Sequence, residues 1–546
     1  MSDSSSISPP LRERLRAIQS LARGGDLPRA AELATAALNE GMRHPFLFNV
    51  SAAHLDSLGR LAESEALLRH ALSLDRDDAG TLQSLGVCLL RLERPEEARP
   101  LLERVLELHP DLAPAHVALG QALEAAGDLR RAESHYKRAL EIDPRNLLAE
   151  AGLASIGSRR GDHALALELA ARVLAREPNY PPAAIVAGEA EVALGKLDAA
   201  ETRMRELAAD SRANAVERSL ALGVLADAYD RAGRTAEAFA GYVESNEMRR
   251  AHYASAFAGE QSTLRYTREL LEWLARNPAE DLITVVPPEP SVSPAGGHVF
   301  LLGFPRSGTT LLEQVLAGHP RVVALEERET LIDSVRAYMR QPGDLAKLGL
   351  ATESDLEPMR RAYWNRVAEA GVIVNKRVFI DKHPFNGLKL PIITRLFPEG
   401  RILLAIRDPR DVVWSCFRRR FRMSAPYFEL LSLAGAAELY DDVMELTTKF
   451  ISALQLRVHV VKLEAFVDDF DNQLQNVCDF LQLERTESMR DFAATARARG
   501  VATASGAQMA RGLSKSGFGE WRRYRHELAP VLPRLERWVR HYGYEA

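Results

Sequence analysis

Cysteine is scarce: Cys88, Cys416 and Cys478 are the only three among 546 residues, far apart and in no paired spacing. That excludes a disulfide framework and a cysteine-ligated zinc site, and it fits a reducing compartment. Long apolar runs are missing as well. Charges interrupt every hydrophobic stretch before it reaches the roughly 20 residues that a bilayer requires, so no membrane span is expected. The first residues are acidic, serine-rich and proline-containing instead of basic and apolar, so no secretory signal is expected and the chain reads as cytoplasmic. A large excess of one charge is absent too. The 70 Lys and Arg stand against 75 Asp and Glu, a formal charge of -5, which argues against a nucleic-acid partner. With 46% hydrophobic residues, the chain is not broadly disordered.

What the chain does contain, first of all, is a period. Gly25, Gly59, Gly127, Gly161 and Gly195 are spaced by 34 residues or twice that, and Glu93 occupies the slot where a glycine is missing. Five positions on stand Ala30, Ala98, Ala132, Ala166 and Ala200, with Ser64 breaking the rule. Gly86, Gly120, Ala154 and Gly188 form a second track of small residues, and Pro110, Pro144 and Pro178 a third track of breakers. A two-helix repeat needs these types at these places: a turn residue between the helices, small residues where they touch, and a proline after the second. The segment resembles tetratricopeptide repeats. The expected organisation is a disordered terminus over residues 1–10, an all-α solenoid over 11–250, and bridging helices with a linker over 251–297. Pro287, Pro288, Pro290, Pro294, Gly296 and Gly297 mark that linker. A solenoid offers a concave surface, so the expected partners are an acceptor protein or peptide, or a second copy of the chain.

Residues 298–546 read differently. His298-Val299-Phe300-Leu301-Leu302 predicts a buried strand, Gly303 to Thr310 a glycine loop, and Leu311 onward a helix. Strand, loop and helix start together make an anion site, because the loop amides and the helix N-terminus point at the ligand. Thr309 stands where a nucleotide hydrolase carries its lysine, which opposes an ordinary triphosphate site. A second strand, Arg401 to Ile406, leads into Arg407-Asp408-Pro409-Arg410-Asp411-Val412-Val413-Trp414-Ser415, a turn entering a helix. A third strand precedes Lys382. These strands predict an α/β domain with a parallel sheet, whose ligands bind at the strands' carboxyl ends.

The two motifs, in this order, resemble those of sulfotransferases, with a P-loop-like fold. The resemblance implies a co-substrate, 3′-phosphoadenosine 5′-phosphosulfate, and no metal. It places Arg306, Ser307, Gly308, Thr309 and Thr310 on the donor's 5′ end, and Arg407 and Ser415 on its 3′-phosphate with Arg419 assisting. Lys382 would stabilise the bridging oxygen. Lys515 and Ser516 lie in a stretch that resembles the family's closing loop over the adenosine. Gly318 to Glu327 resembles the corresponding stretch of tyrosylprotein sulfotransferases, which makes Glu327 the catalytic base. The family's next two residues, threonine and arginine, are here Arg328 and Glu329, so substrate contacts made there do not carry over. His383 is the rival base, one residue after Lys382 where small-molecule sulfotransferases place their histidine two after. His319 reads as a loop-packing residue and Arg420 as part of a solvated helix face. The competing readings are a phosphoryl-transfer enzyme and a repeat scaffold with a degenerate sulfotransferase domain. The acceptor hydroxyl, a protein tyrosine among the candidates, is not specified by the sequence.

Overall fold

The computed structural model describes residues 9–259, 262–277, 293–492 and 513–545. It divides into two compact units, Met1–Val186 and Ala187–Ala546. Pro287, Pro288 and Pro290 of the expected linker and the first eight residues lie outside the described stretches.

The first unit is built from paired helices, and the three sequence tracks fall where the packing needs them. The second helices of successive pairs, Pro95–Leu108, Leu129–Ile142 and His163–Arg176, each end two residues before Pro110, Pro144 or Pro178. Ala30, Ala98, Ala132 and Ala166 are fully buried. Gly120 leaves room for the next helix, since a Cβ there would lie 2.6 Å from the Tyr136 ring. The turn glycines have left-handed backbones, and Glu93 adopts the same conformation at φ 60°. A side chain in that region costs roughly 1–2 kcal/mol, so the repeat geometry is imposed on Glu93 by its neighbours.

The second unit opens with helices that the sequence assigns to the repeat array and its bridge, including Ala215–Arg231, Thr235–Phe257 and Thr263–Arg276. They cluster with the sheet domain. The sheet has five parallel strands in the order β2-β3-β1-β4-β5, with β1 Gly297–Gly303, β2 Val322–Glu326, β3 Val378–Lys382, β4 Arg401–Ile406 and β5 Val458–Lys462. Three of these are expected from the sequence; β2 and β5 are additional. Val299, Leu301, Ile380 and Leu403 bury one face of the sheet against Leu312, Val315 and Leu316 of the helix Thr309–Ala317 and against Leu474 and Val477. The register pairs Glu326 and Leu301 with Lys382, and Gly303 with Ala405. Consequently the chain leaves β1, β2, β3 and β4 at one edge, and the candidate residues gather there. Among the described residues no helix is long and apolar enough to cross a membrane.

Candidate active site

The loop between β1 and the helix Thr309–Ala317 turns on two left-handed residues, Arg306 at φ 72° and Gly308 at φ 99°. For Gly308 this conformation is cheap; for Arg306 it is strained, and such strain persists only where the surroundings enforce it. Ser307, Thr309 and Thr310 are buried against the loop. No side chain caps the helix at Gly308, which leaves its first amides directed into the loop.

The second motif closes onto this loop. Arg306 Nε donates to Ser415 Oγ at 3.0 Å, tying the β1 loop to the helix Pro409–Phe417. Cys416 Sγ donates to the Pro305 carbonyl at 3.3 Å. Arg407 lies over the Arg306 carbonyl at 3.4 Å and donates to the Gly517 carbonyl, while its guanidinium is 3.6 Å from Asp411. Asp411 is otherwise occupied, accepting from the amides of Gly519 at 2.6 Å and Trp521 at 3.0 Å. Arg407 is therefore only partly neutralised. Burial first, and then the charges of Arg419 and Arg407, hold Arg306 well below the usual range of a guanidinium. Arg407 and Arg419 thus both repel Arg306 in a water-poor site, an arrangement that an anion relieves. Among the described residues the Arg419 side chain makes no hydrogen bond or ion pair, and the charge that favours it most is that of Asp227.

Lys382 ends β3 with no exposed surface. Its Nζ donates to Glu327 Oε1 at 2.8 Å and lies 3.3 Å from Glu313 and 3.5 Å from Glu326. The Glu327 amide donates back to the Lys382 carbonyl at 2.8 Å, and Glu327 is itself left-handed at φ 43°. Burial works to raise the Glu327 carboxyl, but Lys382, then His383 and Arg306, outweigh it and hold the group below its ordinary value. Burial likewise works against the Lys382 ammonium, and Glu327, Glu313 and Glu326 overcome it. Glu327 is thus an anion and Lys382 a cation at neutral pH.

His383 is differently committed. Its Nδ1 accepts from the Phe385 amide at 3.2 Å, capping the short helix Pro384–Lys389, and its Nε2 lies 3.1 Å from Glu329, which Lys389 also holds at 2.6 Å. Both ring nitrogens are in use. His319 Nδ1 accepts from the Arg321 amide at 3.0 Å in a buried turn. Lys515 pairs with Asp468 and has a side chain 66% exposed, and Ser516 bonds to the Ser514 hydroxyl at 2.9 Å. In this structure neither reaches the arginine cluster; the Gly517 carbonyl does.

Arg420 corrects the sequence reading. It is not on a solvated helix face: the helix ends at Phe417, and Arg420 turns to Asp227 at 2.8 Å and Glu189 at 3.3 Å with its side chain 17% exposed. Ion-pair partners some 200 residues away leave no local trace in the sequence.

Glu313, Glu326 and Tyr427 are missed by the sequence reading. Glu313 carried one signal, a charge inside an otherwise apolar helix stretch, Leu311-Leu312-Glu313-Gln314-Val315-Leu316. Burial pushes its carboxyl up to about 8, against the pull of Lys382 and with the help of Glu326 and Glu327. A carboxyl raised on folding stabilises the native state fully below its unfolded value of about 4.3, and that contribution fades as pH rises toward about 8. Glu313→Gln should therefore flatten the decline of melting temperature across that interval. An unchanged slope would remove Glu313 as its source. The Tyr427 phenol is raised by burial and then by the charge of Glu327. It stacks on Phe421 at 4.6 Å and meets Phe385 edge-on at 5.8 Å, giving the site an aromatic wall.

Comparison with known proteins agrees with the motifs. Residues 298–487 match the family described as the sulfotransferase family, and residues 77–145 and 117–184 match tetratricopeptide-repeat families. A putative protein-tyrosine sulfotransferase of Caenorhabditis briggsae is 24% identical over 192 residues, 35% of this chain and 67% of that protein. A protein of Aquifex aeolicus (strain VF5), named only as uncharacterized, is 26% identical over 255 residues, 44% of this chain. The match spans 33% of the Aquifex protein's length, well under two thirds of it. The sulfotransferase domain of the Synechococcus PCC 7002 olefin synthase is 22% identical over 47% of this chain and 98% of that domain, with a TM-score of 0.33. Residues 298–487 are thus a sulfotransferase-family domain, preceded in the same chain by tetratricopeptide repeats.

Proposed function

We propose that this domain transfers a sulfuryl group from 3′-phosphoadenosine 5′-phosphosulfate to an acceptor hydroxyl, and that a protein tyrosine is the first acceptor to test. The observation that carries the reading is the cluster of Arg306, Arg407 and Arg419 beside the Lys382–Glu327 pair. The residues present fit such a donor: Arg407 Nε is buried without a hydrogen-bond partner among the described residues, and a Cβ on Gly517 would crowd the same guanidinium at 3.2 Å.

When bound, the donor supplies the sulfuryl group and a bisphosphate that departs. The loop amides from Ser307 to Thr310, with Arg306, hold the 5′ end, while Arg407, Ser415 and Arg419 hold the 3′-phosphate. Glu327 takes the proton of the acceptor O–H as the oxygen forms its new bond to sulfur. Lys382 offers its ammonium to the oxygen that keeps the electron pair of the broken S–O bond. No lysine stands in the loop at Thr309, which opposes the phosphoryl-transfer reading. Two observations support a tyrosine acceptor, the aromatic wall of Phe385, Phe421 and Tyr427, whose phenol feels the charge of Glu327, and the similarity to a putative protein-tyrosine sulfotransferase of Caenorhabditis briggsae. The repeats would hold the acceptor-bearing chain.

Calorimetry tests the donor assignment. Adenosine 3′,5′-bisphosphate should bind more tightly than 5′-AMP or ATP, and Arg407→Ala should weaken it by about 1.5–3 kcal/mol, the range of a charge-assisted hydrogen bond. Equal affinity for the bisphosphate and 5′-AMP would sink the 3′-phosphate clasp. Magnesium-dependent turnover of ATP would favour a kinase.

A further inference from the structure

The turn that carries Arg419 is held from outside the sheet domain's own sequence. Arg418 lies 3.2 Å from Asp230 and also pairs with Glu520, and Arg420 lies 2.8 Å from Asp227. Both aspartates belong to the helix Ala215–Arg231. The following helix, Thr235–Phe257, grips the backbone on either side of the same turn. Asn246 Nδ2 donates to the Phe417 carbonyl at 2.8 Å, and Arg249 donates to the Phe421 carbonyl at 2.6 Å. Asp230 reaches further: its carboxylate accepts from the Tyr524 hydroxyl at 2.5 Å and lies 2.9 Å from Arg523. Tyr524 closes the short helix Glu520–Tyr524, which follows directly on the Gly517–Phe518 segment over Arg407.

Of three consecutive arginines, two are therefore anchored on the repeat-type helices. The side chain of the middle one makes no hydrogen bond or ion pair among the described residues; its charge acts on Arg306 and is itself favoured by Asp227. An unanchored guanidinium on a free turn would lose rotamer freedom on capturing an anion, and fixing its neighbours reduces that loss.

We propose that Asp227 and Asp230 are positioning residues of the donor site, holding Arg418 and Arg420 so that Arg419 is presented to the donor's phosphate. The last repeat-type helix pair is in this sense a part of the catalytic unit and not a separable scaffold. The inference rests on the functional reading above, in which Arg419 binds donor.

The test is a double-mutant cycle on the full chain, read by calorimetry with adenosine 3′,5′-bisphosphate and by steady-state kinetics in the donor. Arg419→Ala should weaken binding at least tenfold, about the effect of one charge-assisted hydrogen bond. Asp227→Asn combined with Asp230→Asn should weaken it roughly fivefold to tenfold, raising the donor KM with kcat within about twofold. In the Arg419→Ala background the two Asn substitutions should add less than about twofold, because the residue they act through is gone. A merely structural role would not vanish in that background. Wild-type-like binding by the Asn variants, or an undiminished penalty when Arg419 is absent, overturns the proposal. Should the Asn variants lose thermal stability, Arg420→Gln probes the Asp227 pair from the other side with the same two outcomes. Failure of the wild-type protein to bind the bisphosphate, or of Arg419→Ala to weaken it, would instead fault the donor reading and take the proposal down with it.

Discussion

Glu327→Gln should lower the catalytic rate by roughly 10²–10⁴-fold, the usual contribution of a positioned base, while leaving adenosine 3′,5′-bisphosphate binding near that of the wild type. The amide keeps the shape of the side chain and its hydrogen bond from Lys382, so the geometry at 2.8 Å survives and only basicity is lost. Glu327 also suits the role electrostatically, being held as an anion by Lys382 despite burial. His383→Ala is the matched control and should do much less. With Nδ1 accepting from the Phe385 amide and Nε2 turned to Glu329, His383 has no nitrogen left for an acceptor. Each variant must first show normal melting and normal bisphosphate binding. An active Glu327→Gln beside an inactive His383→Ala would move the base to His383 and the acceptor toward small molecules. Activity in both would place the base elsewhere.

Lys382→Met should be the most destabilising single change at the site. Its ammonium faces Glu313, Glu326 and Glu327 within 3.5 Å, and removing one partner of a buried charge cluster typically costs about 3–5 kcal/mol. The loss should depend on pH in a defined direction. Without the cation, the buried carboxylates favour their neutral forms and their folded pKa values rise above the unfolded ones. Groups shifted that way stabilise below about pH 4.3 and lose the contribution as pH rises. The melting deficit relative to the wild type should therefore be smaller at pH 5 than at pH 8. A deficit equal at both values, or none, would show that the three carboxylates do not depend on Lys382. Turnover should be lost at either pH, since the departing oxygen loses its cation.

The sequence by itself determined what depends on local residue order. The 34-residue period placed the turns, and the proline tracks placed the helix ends, because backbone conformation at a turn or a break is a property of a few adjacent residues. Even Glu93 was locatable by its slot, although its strain was not. The glycine loop and the Arg407 turn were readable for the same reason: each is a strand end joined directly to a helix start. Two strands escaped. Val322–Glu326 and Val458–Lys462 are the two edge strands and only partly buried, so neither has to be the fully buried segment by which the equally short Val378–Lys382 is read. Only the tertiary structure decided which charges meet. Glu313 joins Lys382 across the sheet edge, His383 is used up as a helix cap, and Arg420 finds Asp227 instead of solvent. Coulombic partners are chosen by distance in space and by the low dielectric of a buried edge, and neither quantity is encoded in the spacing of residues along the chain.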